Sequence, residues 1–242
     1  MKVSNFILKL VAIVTMLIDH AAVACYAVIG RQAYNICRNI GRIAFPLFAF
    51  MLVEGFRKTR NRFRYLATLL VLAIISEVPA DLVFCTWKYR DREMNILFTL
   101  FISLATLMLT DKIRQHIMGD IANVLNTLIL VATCYISYYF KFSYGAFGPM
   151  IVFLIFYMEE LSKFIIDSKY AYNIAAAVGV LIWFIIYDIY YHDIIELYGI
   201  PSCVLLCCYN HQRGNYIIPK FVFYLFYPVH LLLLYYLRRY VI

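Results

Sequence analysis

The stretch VTMLIDHAAVACY, residues 14–26, decides how this chain is read. It sits in a run of 21 residues between Lys9 and Arg31 in which Asp19 is the sole formal charge, with His20 directly behind it. A bilayer core needs about 20 apolar residues per helix, so the run is long enough to cross one. A carboxylate at mid-bilayer costs about 2.5–3.5 kcal/mol on insertion scales and calls for a partner, a water-filled cavity or a chemical task.

The rest of the 242 residues follow the same pattern: 64% are apolar and 15% charged, with a mean hydropathy of +0.78. Soluble domains average about half apolar and a quarter charged. The expected fold is all-α, a polytopic transmembrane helix bundle forming a single domain over 1–242. Charged clusters divide it into about nine stretches, at 6–29, 40–56, 65–84, 94–110, 121–140, 145–158, 171–190, 194–209 and 217–237. The connectors are too short for a soluble domain, so function is confined to the bundle and its two faces. AVAC at 22–25 looks like a leader cleavage site, but an Asp-His pair inside the apolar region argues for a retained span.

The net charge of +8 does not point to nucleic acid, because the basic residues sit in short loops where they set topology. With nine spans, 13 of the 22 basic residues fall on the N-terminal side: Lys2, Lys9, Arg57, Lys58, Arg60, Arg62, Arg64, Lys112, Arg114, Lys163, Lys169, Arg213 and Lys220. Arg31, Arg38, Arg42, Lys88, Arg90, Arg92, Lys141, Arg238 and Arg239 fall on the other. This bias predicts a cytoplasmic N-terminus, with the surrounding lipids as partners. Seven scattered cysteines, Cys85 among them, read as apolar packers, and no metal-ligand spacing, Walker loop or dinucleotide fingerprint occurs.

The intramembrane polar groups fall at one level. Span 1 carries Asp19 and His20, and span 2 begins with Arg38 and Arg42. Span 3 ends in SEVPADL with Glu77 and Asp81 on one face; span 4 opens with Asn95 and Thr99, and the last span carries His230 in YPVHLLLL. A histidine in the membrane needs hydrogen bonds and titrates near neutrality, which suits acid-base work. Asp19 and His20 point about 100° apart, so Asp19 is expected to pair across to Arg42 or Arg38 rather than with His20. The bland alternative is that Arg42, Glu77 and Asp81 are structural ion pairs. At the end of span 2, EGFRKTRNRFRYL packs Arg57, Lys58, Arg60, Arg62 and Arg64 behind Glu54. Such a cluster is a topology signal and lipid anchor, or a guanidinium face for a multi-phosphate ligand.

MLIDH, IGRIAFPLFAFMLVEGFRKTRN, ISEVPADL, NILFTL, YGAFG and FYLFYPVHLLLLY occur in this order over about residues 9–237. In these motifs the chain resembles the TraX family, named for the conjugative protein that N-acetylates the amino terminus of F-pilin. More distantly it resembles acyltransferase family 3 and the heparan glucosaminide N-acetyltransferases, which use cytoplasmic acetyl-CoA and an intramembrane histidine. The resemblance implies an acetyl-CoA-dependent O- or N-acetyltransferase. Acetyl-CoA phosphates would dock on Arg57, Lys58, Arg60, Arg62 and Arg64, and His20 would act as base or acyl carrier, with His230, at the same level of the last span, as a further catalytic candidate or a packing corner. Asn95 or Thr99 would polarise the thioester carbonyl, and Glu77 and Asp81 would receive a cationic acceptor. The acceptor, a peptide amine, a glycan or a small amine, does not carry over. Two other readings stay open: a proton-coupled small-molecule transporter using the Asp, His and Glu groups, and a noncatalytic membrane assembly subunit.

Overall fold

A computed structural model describes residues 3–84, 93–117, 119–166, 168–214 and 219–240. Lys2, Cys85, Lys88, Arg90 and Arg92, and the start of the last expected span at 217–218, lie outside the described residues. The order is α1 (Asn5–Ala24), α2 (Tyr26–Gly41), α3 (Ala44–Lys58), α4 (Arg62–Phe84), α5 (Ile96–His116), α6 (Asp120–Tyr139), α7 (Phe147–Ile165), α8 (Lys169–Tyr191), a 3₁₀ turn (Ile194–Gly199), α9 (Pro201–Cys207) and α10 (Lys220–Tyr240). Among the described residues there is no β-strand; two isolated bridges tie Val3 to Tyr209 and Met94 to Phe142. The fold is an all-α bundle.

Local chemistry sets the helix starts. Ser4, Asn95 and Ser168 cap α1, α5 and α8, their side-chain oxygens accepting from the N–H groups of Ile7, Leu97 and Ala171. α2 bends at Gly30, whose φ of 72° is open to glycine but costly for other residues.

Among the described residues seven helical segments are long and apolar enough to cross a membrane, α2 and α3 counting together as Tyr26–Lys58. The chain is an integral membrane protein on that ground. Two other legs of the expected nine take different forms. α7 carries Glu159, Glu160 and Lys163 toward its end, and the 194–209 stretch is broken into the 3₁₀ turn and the seven-residue α9. Both still run through the bundle. Along α8 and α9, Asn173 donates to the Tyr209 carbonyl (2.6 Å) and the Cys203 thiol lies 3.7 Å from the Ala177 carbonyl, so the two are antiparallel. Ion pairs gather residues 54–64, 111 and 159–163 at the end where Val3 meets Tyr209. This basic end faces away from the end where Arg238 reaches the Val83 carbonyl.

α3 and α7 fill the middle. Leu47, Ala49, Phe50 and Val53 of α3 meet Ile151, Val152 and Ile155 of α7, with Val180, Trp183 and Phe184 of α8 behind them, all of them fully or almost fully buried. α7 and α8 approach backbone to backbone, because a Cβ at Gly179 would lie 3.0 Å from the Leu154 carbonyl oxygen. Gly179→Val is therefore expected to cost about 1–3 kcal/mol by overpacking. A detergent melting curve lowered by several degrees would agree with that; an unchanged curve would rule out the close approach.

Candidate active site

α1 sends its two consecutive polar residues to opposite neighbours, as the roughly 100° step of a helix requires. On one side Asp19, 8% exposed, takes the Arg38 guanidinium at 2.6 Å and that of Arg42 at 3.1 Å. Arg42 also donates to Glu196 (2.8 Å), to the Tyr144 hydroxyl (3.3 Å) and, through Nε, to the Arg38 carbonyl (3.2 Å). Two carboxylates thus face two guanidinium groups, and the buried charge cancels. Glycines make room: a Cβ on Gly41 would fall 2.3 Å from Asp19 Oδ1, and one on Gly199 would fall 2.9 Å from the Arg42 carbonyl oxygen. The sequence reading anticipated the Asp19–Arg pairing but missed Glu196 and Tyr144. Glu196 carries the same signal as Asp19, an acid inside an apolar stretch.

On the other side His20 Nδ1 lies 2.7 Å from His230 Nε2, and His230 Nδ1 lies 2.7 Å from the Phe226 carbonyl oxygen. A carbonyl can only accept, so His230 carries its proton on Nδ1 and its Nε2 accepts. His20 therefore donates from Nδ1, which leaves the Nε2 lone pair free. Phe84 packs edge-on to the His20 ring at 4.9 Å, and Tyr227 at 6.1 Å. The arrangement is a neutral imidazole oriented by a second one, with the basic nitrogen uncommitted among the described residues.

A cavity of about 870 Å³ runs from the basic end to Phe226 and Tyr227, whose rings pack against the histidine pair; the two histidines stand behind this wall and do not line it. Its wall on α1 is Asn5, Lys9, Ile13 and Met16, a repeat of three and four residues that marks one helix face. Lys58, Arg64 and Arg213 line it near the basic end, and Phe226 and Tyr227 line it beside the two histidines. The basic run of the sequence is thus divided. Lys58 and Arg64 face the cavity, and the Arg64 guanidinium has no partner among the described residues. Arg57 is held by Glu159 (3.0 Å) and Glu160 (2.8 Å), and Arg62 by Asp111 (2.5 Å); Arg60 is exposed and does not line the cavity. Lys9 and Arg213 belong with the cavity, though nothing in their local sequence sets them apart.

Glu54 is buried at the cavity wall and accepts from the Tyr209 hydroxyl (2.5 Å) and Lys58 (2.7 Å). His211 stands 3.4 Å from the same carboxylate and 2.8 Å from Asn173 Oδ1. Asn95 and Thr99 are committed within the bundle. Asn95 donates to the Ala73 carbonyl (2.8 Å) and to Glu77 (2.6 Å), while Thr99 donates to the Ser143 carbonyl (2.8 Å). Both tie α5 to its surroundings, so neither has a side-chain proton left for a ligand carbonyl. Glu77 is anchored by Asn95, and Asp81 lies one turn further along α4, half-buried. Among the described residues no three His, Cys, Asp or Glu side chains gather as metal ligands do.

The sequence model of the TraX protein family matches residues 4–238, almost the whole chain. The chain belongs to the TraX family. A relative of this TraX-family chain, from Dichelobacter nodosus, is described as "Probable fimbrial assembly protein FimC, serogroup H1". It is 29% identical over 248 residues, which cover 96% of this chain and 94% of the relative. No solved structure matches. The family match runs from the cap of α1 to the last turns of α10 and so takes in the salt-bridge network, the histidine pair and the cavity together.

Removing Arg42 leaves Asp19 and Glu196 without their shared partner. Arg42→Met is expected to lose about 3–5 kcal/mol, the cost of an uncompensated buried charge. Arg42→Lys should recover only part, since one ammonium lacks the fork that reaches both acids. Detergent unfolding of the two variants checks this, and equal stability of Arg42→Met and wild type would remove the network from its structural role.

Proposed function

We propose that this protein is a membrane-embedded acetyltransferase that takes acetyl-CoA from the basic end of the bundle. The acetyl group passes to an amine or hydroxyl acceptor that approaches from the opposite end. The observation that carries the reading is the cavity that leads from a cationic mouth to Phe226 and Tyr227, the ring neighbours of the histidine pair. Its α1 wall covers the 11 steps from Asn5 to Met16, about 16 Å of helix rise, a distance an extended pantetheine arm can thread. Lys9, Lys58, Arg64 and Arg213 would receive the phosphates, and the apolar interior around Ile13, Phe48, Leu97 and Phe226 would hold the arm. The ion-paired Arg57 and Arg62 support this mouth from behind rather than forming it.

His20 Nε2 takes the acceptor proton as nucleophilic attack begins, while His230 fixes the ring's tautomer. This order of events needs no acyl-enzyme, although the same nitrogen could carry an acetyl group. The basic end would face the cytoplasm, where acetyl-CoA is made, in the bacterial inner membrane, with the N-terminus inside. The relative's description as a fimbrial assembly protein, together with F-pilin acetylation in the family, favours a surface-filament subunit with a free amine as one acceptor class. A noncatalytic assembly role is the competing reading, supported by that same description.

Purified protein in detergent, given radiolabelled acetyl-CoA and hydroxylamine as a surrogate amine, separates the two. Wild type should form acetohydroxamate; His20→Ala should bind acetyl-CoA normally yet lose about 10²–10⁴-fold in turnover. Arg64→Ala should weaken binding by about tenfold, as loss of one charge-assisted hydrogen bond implies. A wild type that neither binds nor turns over acetyl-CoA would sink the reading, and full turnover by His20→Ala would remove His20 from the chemistry.

A further inference from the structure

The deep end of the cavity contains a hydroxyl that neither the histidine pair nor the salt-bridge network uses. Tyr227 lies three residues before His230 on α10, is 8% exposed and lines the cavity. Its ring stands edge-on to His20 at 6.1 Å and to His230 at 5.6 Å. Ile96 and Leu97, at the start of α5, line the same cavity. A phenol has one proton to give, and Tyr227 donates it to no side chain among the described residues. Glu77, the nearest negative charge, is itself held by the backbone and side-chain N–H groups of Asn95 at 3.1 and 2.6 Å.

We infer that Tyr227 is the oxyanion donor of the acyl transfer, the group that hydrogen-bonds the thioester carbonyl oxygen as it becomes an alkoxide. The inference rests on the acetyltransferase reading and fills the role that Asn95 and Thr99, both committed elsewhere, leave open. The acceptor nitrogen or oxygen attacks the carbonyl carbon and gives its proton to His20 Nε2. A C–N or C–O bond forms, and the π pair of the carbonyl moves onto its oxygen, where the Tyr227 O–H holds it. Collapse restores the carbonyl and breaks the C–S bond, and the leaving thiolate takes the proton back from His20. Nothing is oxidised or reduced. A donor preplaced where charge develops, in a site shielded from water, acts mainly on the transition state.

The test uses full-length protein in detergent, acetyl-CoA and hydroxylamine, with binding read by an acetyl-CoA analogue whose thioester sulfur is replaced by CH₂. Tyr227→Phe should lower kcat by about 10²–10³-fold, the usual effect of removing one oxyanion donor. Analogue binding should change less than about twofold, since the donor acts on the transition state rather than on the bound donor substrate. Tyr236→Phe, on the exposed side of α10, should behave as wild type. Incorporation of 3-fluorotyrosine at 227, which nearly preserves shape but makes the phenol more acidic, should shift kcat and leave analogue binding alone. If Tyr227→Phe keeps kcat near wild type, or loses analogue binding in step with kcat while 3-fluorotyrosine has no effect, the oxyanion role is overturned and the acetyltransferase reading stands. If wild type itself neither binds nor uses acetyl-CoA, both fall.

Discussion

Two buried carboxylates sharing the Arg42 guanidinium hold the architecture of this bundle together. Asp19 comes from α1, Glu196 from the 3₁₀ turn, Arg38 from the last turn of α2 and Arg42 from the cap that follows it. Each ion alone would be expensive to bury, and only the set is neutral. The network therefore acts as an all-or-none clamp: α1, the end of α2 and the start of the 194–209 leg take one relative position or leave a charge stranded. Gly41 and Gly199 allow that position by bringing backbone to within contact of the acid and of the Arg42 carbonyl. The clamp fixes the rotation of α1 about its own axis. Since His20 follows Asp19 by one residue, the same constraint aims the imidazole at α10 and α4.

That coupling explains why an acid and an imidazole sit side by side without touching. One residue secures the helix, and the other meets His230 and the Tyr227 ring at the cavity wall. His230 completes the geometry from α10, and its Phe226 hydrogen bond sets the polarity of the pair. The cavity enters the bundle between α1, α3, α4, α5 and α10, so the helix that supplies His230 also supplies part of the cavity wall through Phe223, Tyr224, Phe226 and Tyr227.

Much of this was legible in the sequence, for one physical reason. A charge in an apolar stretch is costly, so Asp19, Arg38, Arg42, Glu77 and His230 stand out without any knowledge of neighbours. The helical class and the order of the legs follow from the apolar stretches themselves. What was not legible depends on pairing over long separations. Arg57 and Arg62 look equivalent to Lys58 and Arg64 until α7 and α5 bring up Glu159, Glu160 and Asp111 to claim them. Lys9 and Arg213 join the cavity because residues 208–213 run beside the start of α1, with Asn5 N–H donating to the Gln212 carbonyl at 2.9 Å. Asn95 and Thr99 have the right chemistry for oxyanion donors and lie near the right depth. Their protons are consumed by helix packing, which no local pattern reveals.

The histidine pair differs in one respect from a base backed by a carboxylate, and the difference bears on the acyl-transfer reading. Its hydrogen-bond chain ends on a neutral carbonyl, so in the resting state it buries no net charge. In the proposed reaction the cost would appear when His20 becomes an imidazolium, which among the described residues has no carboxylate aligned with it; Asp19 points about 100° away around α1 and is already paired with two arginines. A cation formed there is stabilised chiefly by the negative charge developing on the substrate beside it. On the proposed mechanism the alkoxide and the departing thiolate would therefore be the electrostatic partners of the imidazolium, favouring proton return to sulfur over escape of the proton along the protein. A fixed carboxylate behind His20 would stabilise the cation whether or not substrate was present. Without one, the proposed chemistry would tie proton transfer to the moment when the thioester carbonyl is under attack.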